Sequence, residues 1–158
     1  MNYHEFLYEQ FPELVDALNA DTQPLWGLMN AQQMIEHLAG ILSCSNGRFE
    51  AKPSADAERM AHRKMRYFEK DVPMPRNFRV DFVPETPRPV RYPDMETAKN
   101  HLLQQLERFD DYYVEHPDMT AMHPVLGILN YNEWVETHAR HFRHHFQQFG
   151  ILPLPIDA

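Results

Sequence analysis

The feature that most constrains the fold is a long, histidine-rich helix predicted near the end of the chain. Residues 133–149 read EWVETHARHFRHHFQQF, and the four histidines of this segment fall within eight residues. Asn130 is a good N-cap residue, Glu133 completes a capping box with it, and Gly150 is a good residue to follow the last turn. An amphipathic helix of this length must bury its apolar stripe against other elements, so a helical bundle is expected.

Apolar residues at helical spacing predict three further main helices elsewhere in the chain. They run over Glu5–Leu18, from about Ala31 to Cys44, and over Met95–Tyr113. Pro12 should kink or split the first helix. Asn30 and Gln33 form a second capping-box pattern at the start of the second helix. The expected fold is therefore all-α: a four-helix bundle that forms a single domain over residues 1–158.

A proline-rich segment separates the second main helix from the third. Asp56–Lys70 is predicted to form a short polar helix, and six prolines follow between Asp71 and Pro93. Proline fixes φ and removes a donor, so Asp71–Pro93 should be extended and irregular, with edge-strand character at Phe78–Phe82. We interpret it as a long connection packed over the bundle. A linker between two domains is the less favoured alternative, because each flank alone holds only two good helices.

Composition and charge exclude several classes of protein. The formal net charge of −8 argues against a surface for nucleic acid or for anionic membranes. No run approaches the roughly 18 apolar residues that span a bilayer, and Met1–Leu14 lacks a signal-peptide pattern, so a cytoplasmic protein is expected. Cys44 is the single cysteine, which excludes an intrachain disulfide and a cysteine-based zinc site. Any metal must be held by His, Asp or Glu.

The last helix carries a pattern typical of metal binding. His141 and His145 are four residues apart and so lie on one helix face, with His138 close to the same stripe. His37 lies within the apolar stripe of the second helix. Buried imidazoles need a hydrogen-bond partner or a metal, and several on inward stripes can be satisfied together by one shared ion. His144 lies on the flank of the stripe and is expected to be exposed or to support the ligands from behind.

Less specific interpretations stay open at this point. A single inward histidine is more often a satisfied core residue than a ligand, and Arg140 and Arg143 make a solvated helix face an alternative. No Glu has a His three residues later, which excludes the repeated Glu-x-x-His of carboxylate-bridged di-iron bundles. No HExxH zinc-protease motif, GxGxxG motif or phosphate-binding loop occurs. No catalytic residue beyond the possible ligands can be named.

Two segments of the sequence resemble the DinB-like superfamily of four-helix-bundle metalloenzymes. The first is Met29–Leu38, with one histidine late in the second helix. The second comprises His123–Gly127, Asn130–Trp134 and His141–Gly150. These segments, together with Pro73–Asn77 in the connection, look most like an uncharacterised branch of that superfamily.

The resemblance implies a specific fold and a specific chemistry. The fold would be an up-down-down-up bundle, and His37, His141 and His145 would hold zinc, nickel or a similar divalent ion. His138 could replace or join one of these ligands. Characterised relatives are S-transferases or isomerases that use a low-molecular-weight thiol such as bacillithiol or mycothiol, and many are homodimers.

The leading hypothesis is a metal-dependent S-transferase or hydrolase whose partner is a small electrophilic substrate. Gln33 is a candidate hydrogen-bond partner of a ligand histidine, and Trp134 and Phe149 are expected to wall the pocket. One alternative is a non-catalytic bundle with a structural metal or a ligand-binding or stress-response role. Another is a dimeric adaptor that uses the proline-rich connection as its contact surface.

Overall fold

Helices account for most of the structure, a computed structural model that describes residues 1–70, 74–76 and 84–156. The helical elements are α1 (Tyr3–Glu5), a π-helical turn (Phe6–Gln10), α2 (Phe11–Ala17), α3 (Ala31–Ser45), α4 (Ala57–Glu69), α5 (Met95–Glu115) and α6 (Tyr131–Gln148). Two short strands, β1 (Ala121–His123) and β2 (Gly127–Leu129), form an antiparallel sheet. The predicted polar helix over Asp56–Lys70 is present as α4.

Both predicted capping boxes are present. At the start of α3, the Asn30 side chain accepts from the Gln33 N–H at 2.8 Å, and the Gln33 side chain accepts from the Asn30 N–H at 2.9 Å. Asn130 and Glu133 repeat this arrangement at α6, at 3.0 and 2.9 Å. These bonds satisfy amide groups that have no partner within the helix, and they fix where the two site-bearing helices begin.

The first helix stays helical through Pro12 because a π-helical turn precedes the proline. The Phe11 N–H bonds to the Phe6 carbonyl, five residues earlier. Such a turn inserts one extra residue, and the wider turn accommodates the proline ring and its missing donor. α1, the π-helical turn and α2 thus form one continuous helix.

The small sheet corrects the all-α prediction, which placed only a loop between α5 and α6. Ala121 pairs with Leu129, and His123 pairs with Gly127. The connecting turn is held by the His123 ring, whose Nδ1 accepts the N–H groups of Val125 and Leu126, both at 3.1 Å. Strands of three residues are too short for an alternating pattern to stand out in the sequence, so the prediction was wrong here.

The core is built around α6. α3 packs against α5 and α6, the first helix packs against the same two helices, and α4 lies on β2. The largest fully buried side chains are Trp134, Phe11, Phe109, Phe142 and Phe146. Burying one such ring stabilises the fold by about 1.5–3 kcal/mol, so the three on α6 anchor the helix that carries four of the ten histidines.

The described end of the connection, residues 84–93, packs along α3 as predicted. The Gln33 side chain donates to the Arg88 carbonyl at 3.0 Å, and the Glu36 carboxylate accepts from the Arg91 N–H at 2.7 Å. Side chains of α3 thereby satisfy backbone groups that a proline-rich segment cannot pair with a neighbouring strand. This packing brings the Arg88 backbone to within one helical turn of His37.

Residues from both sides of the connection share one hydrophobic core. The predicted edge strand at Phe78–Phe82 lies outside the described residues. Within the described ranges, none of the helices combines the length and the apolar character needed to cross a membrane.

Candidate metal centre

Three histidines from two helices converge on one point. The Nε2 atoms of His37 on α3 and His141 on α6 are 3.0 Å apart, and those of His141 and His145 are also 3.0 Å apart. The ligand atoms of all three rings lie within 4.8 Å of one another. These are the residues that the resemblance to the superfamily implied as a metal triad, and the fold brings them together across 104 positions of the chain.

This cluster could hold a metal ion. Zinc–nitrogen bonds of about 2.0–2.1 Å at a tetrahedral angle place two ligand nitrogens about 3.3 Å apart. The two 3.0 Å separations around His141 are close to that value. Hydrogen bonding alone satisfies the cluster poorly, because the His141 Nε2 faces the Nε2 atoms of both His37 and His145. A ring nitrogen has either one proton or one lone pair, so it can form a good hydrogen bond with only one of the two.

A glutamine fixes the tautomer of His145. The Gln148 Nε2 donates to the Trp26 carbonyl at 2.8 Å, and a carbonyl can only accept, so the Gln148 Oε1 must face the other way. That oxygen lies 2.7 Å from the His145 Nδ1 and therefore accepts its N–H. The His145 Nε2 is then left with a lone pair that points toward His141, as a metal ligand requires.

Burial keeps the three rings neutral. Desolvation lowers the pKa of His37 to about 4, with smaller contributions from the charges of Arg88 and His144. The pKa of His141 lies well below its ordinary value because of burial and then of the neighbouring His145 and His37, and burial likewise lowers that of His145. Neutral imidazole is the form that binds metal, so the cluster offers three nitrogen donors at neutral pH.

The cluster opens to solvent on one side. His145 is buried, His141 is half-buried, and His37 is exposed. An ion held here would therefore keep a position that a small molecule could reach, which is the arrangement of catalytic rather than closed structural sites.

His138, the possible additional ligand, occupies a different environment. Its ring is fully buried, its Nε2 lies 2.8 Å from the Ser45 Oγ, and it stacks on Trp134 with ring centroids 5.0 Å apart. Its Nδ1 is buried without a hydrogen-bond partner among the described residues. The predicted possible ligand thus lies in the core outside the cluster of three histidines, with its Nε2 engaged by a serine.

The other predicted residues lie around the cluster rather than in it. Both polar ends of the Gln33 side chain are engaged by Asn30 and Arg88, so it secures the helix start and the connection instead of a histidine. Trp134 and Phe149 are buried in the core, where Trp134 also contacts the His123 ring. His144 is half-buried beside His145, with ring centroids 5.1 Å apart.

Sequence reasoning missed Gln148 and Trp26. Gln148 lies three residues after His145, a spacing that brings side chains together on a helix, so its sequence position did contain a signal. Trp26 contributes its backbone carbonyl, and any residue has one. No side-chain pattern could have identified that contact.

The chain belongs to a family of proteins of unknown function, DUF1569, whose sequence profile matches residues 7–150. No curated protein and no solved structure matches the chain.

Proposed function

We propose that this protein is a divalent-metal-dependent enzyme that acts on a small electrophilic molecule. His37, His141 and His145 are the proposed ligands. The observation that carries the proposal is the convergence of their three Nε2 atoms at a point open on the His37 side. Three neutral nitrogens favour zinc or nickel over magnesium.

The chemistry follows from this set of donors. A bound divalent ion would supply the Lewis acidity that turns a thiol or a water molecule into a nucleophile near neutral pH. Gln148 orients the His145 ring. The buried aromatic side chains of α6 hold that helix, and with it the proposed ligands His141 and His145, in place. The open side admits the substrate. An S-transferase that uses a small thiol and a hydrolase that uses water are the two forms of this proposal.

The DinB-like assignment belongs to the same proposal. The mostly helical fold, the long connection after α3 and the positions of the three histidines support it. An up-down-down-up four-helix bundle, a homodimer and a cytoplasmic location accompany it as expectations from sequence. Binding of a small molecule, and of neither nucleic acid nor membrane, is likewise an expectation from sequence.

The central prediction concerns metal content. His141→Ala should lose most of the bound ion, because this ring contacts both other ligands. His144→Ala is the matched control, since it removes a neighbouring histidine whose ring lies outside the cluster. Elemental mass spectrometry of untagged, metal-reconstituted protein should find about one ion per chain in the wild type and in His144→Ala. Equal retention in both variants would contradict the proposed ligand set.

The alternative function, a bundle with a structural metal, rests on the same geometry. An ion between His37 and the two α6 histidines would brace two helices that pack together. Cobalt substitution distinguishes the two functions, because the visible spectrum of Co²⁺ reports changes in its ligands. A spectrum that shifts on addition of a small thiol indicates an exchangeable position and supports the enzyme. A spectrum that no added ligand changes supports the structural role.

A further inference from the structure

Ring contacts link an arginine to the histidine cluster, although the chain carries a net charge of −8. The Arg76 guanidinium carbon lies 4.3 Å from the centre of the Trp26 ring. Trp26 contacts His144 edge-on at 5.9 Å, and His144 contacts His145 at 5.1 Å. A continuous series of ring contacts therefore leads from this arginine to a proposed ligand.

A second arginine approaches the cluster from the connection. The Arg88 carbonyl is held at 3.0 Å by Gln33, which lies one helical turn before His37 on α3. The Arg88 backbone is thus anchored beside the helical turn that precedes His37, the proposed ligand that faces solvent, and the Arg88 side chain is exposed there.

We propose that the site takes a small molecule bearing a carboxylate, and that Arg76 and Arg88 bind this anionic group beside His37. The proposal rests on the metal-dependent function proposed above and adds the chemical class of its ligand. Arginine suits this task, since its planar guanidinium donates two parallel N–H bonds to a carboxylate and can also stack on an aromatic face.

Both guanidinium groups are available for a ligand. Each arginine is exposed, and among the residues that the structure describes neither forms an ion pair with a carboxylate. Stacking on Trp26 uses the face of the Arg76 guanidinium and leaves the N–H groups at its edge unblocked. The nearest acidic neighbour of His37 in the chain, Glu36, accepts backbone N–H groups of the connection, including that of Arg91.

The test compares two thiols of the same size that differ in charge. Co²⁺-loaded protein is titrated with 3-mercaptopropionate and with 3-mercapto-1-propanol, and each dissociation constant is read from the visible spectrum. We expect the wild type to prefer the carboxylate by about tenfold, a factor typical of one good charge-assisted contact. Arg76→Gln and Arg88→Gln should each reduce that preference, and added salt should weaken it.

Arg91→Gln is the matched control. Arg91 lies on the same segment and is also exposed, but its charge acts on His101, whose pKa it helps to lower after desolvation and two other arginines. This variant should keep the preference of the wild type. Equal affinity of the wild type for the two thiols, or equal loss of preference in Arg88→Gln and Arg91→Gln, would overturn the inference and leave the metal-dependent function standing.

A second measurement tests the inference without any metal. Trp134 is fully buried, so collisional quenching of tryptophan fluorescence reports mainly on half-buried Trp26. With each quenching constant divided by that for free tryptophan, iodide should quench the wild type more than caesium does, and Arg76→Gln should reduce the difference. If the wild type binds no metal ion, the proposed function fails, but the quenching comparison still tests whether the surroundings of Trp26 are positively charged. Equal quenching by the anion and the cation would contradict the inference.

Discussion

At the scale of single residues, the hydrogen bond from His145 to Gln148 has the greatest chemical consequence. Ligand histidines often donate to a carboxylate, whereas here the acceptor is a neutral amide. The amide fixes the tautomer without adding negative charge. Three neutral ligands around a divalent ion then leave the full double positive charge at the site, which favours an anionic ligand in the open position.

Gln148→Ala is therefore expected to weaken metal binding by about 10–100-fold, because the His145 ring loses the partner that orients it. Gln147→Ala is a close control. Gln147 is also buried, and its side chain donates to the Pro153 carbonyl at 2.9 Å, well outside the histidine cluster. Competition with a chromophoric chelator measures both affinities. A similar loss in the two variants would mean that Gln148 acts only through the packing of the helix end.

Sequence reasoning about single residues succeeded where one helix sets the geometry. The spacing of His141 and His145 places them together whatever the remaining fold. Gln33 was a candidate partner of a ligand histidine, and in the structure the capping box and the Arg88 carbonyl occupy both of its polar ends. Local spacing alone does not rank such competing partners.

At the scale of elements, the loop before α3 holds the end of α6. Gly27 has a φ of +84°, and a Cβ added there would lie 2.5 Å from the Gln148 Nε2. The Gln148 amide reaches the Trp26 carbonyl only because position 27 has no side chain. The backbone conformation of one loop thus determines the position of an amide on the distant helix that bears two of the proposed ligands.

Gly27→Ala should lower both stability and metal affinity. A left-handed φ costs a residue with a side chain about 1–2 kcal/mol, and the new methyl group would also displace Gln148. Gly47→Ala controls for the stability cost of a left-handed φ, because Gly47 has a φ of +75° and a Cβ there would meet the Tyr112 ring instead of Gln148. Chemical denaturation should show a loss in both variants, and chelator competition should show a loss only in Gly27→Ala. Unchanged metal affinity in Gly27→Ala would contradict the coupling.

The elements that sequence predicted best are those with their own start signals. α3 and α6 begin at capping boxes, so the first residue of each could be predicted. The small sheet could not, because its strands have three residues each and its turn depends on a ring nitrogen of His123. The π-helical turn before Pro12 also lacks a sequence signal beyond the proline that it accommodates.

At the scale of the whole molecule, buried neutral histidines link stability to pH. Burial lowers the pKa of His123 to about 4, and burial with a smaller contribution from His123 lowers that of His138 to about 3. Both values lie below the ordinary pKa of about 6.5, so the unfolded chain binds protons that the folded chain excludes. The stabilisation is complete above pH 6.5 and is lost as the pH falls toward the folded values.

Without metal, the free energy of unfolding should accordingly fall between pH 6.5 and about 4. His123→Asn should reduce this loss by about 1–3 kcal/mol, since an asparagine oxygen can still accept the two turn amides and does not titrate. Urea denaturation at several pH values in the presence of a chelator measures the effect. His62→Asn, at an exposed histidine on α4, controls for the substitution itself. Parallel pH profiles for the wild type and His123→Asn would contradict this assignment.

The approach of His37 to α6 is the part of the site that sequence could not supply alone. It depends on how α3 and α6 pack across 104 intervening residues, and helical spacing says nothing about contacts between helices. The resemblance to the superfamily suggested the pairing. The structure adds the Gln148 amide that orients His145 and the Trp26 carbonyl that holds this amide.

Trp26 contributes to the site with two separate parts of one residue. Its main-chain carbonyl secures the glutamine that orients a ligand, while its indole face supports Arg76. Replacing the indole would leave the carbonyl in place, so the two contributions can vary independently. Under the proposed function, exchanging the side chain at position 26 would change the surroundings of Arg76 without removing the carbonyl that orients a proposed ligand, so this loop is a starting point for libraries of altered selectivity.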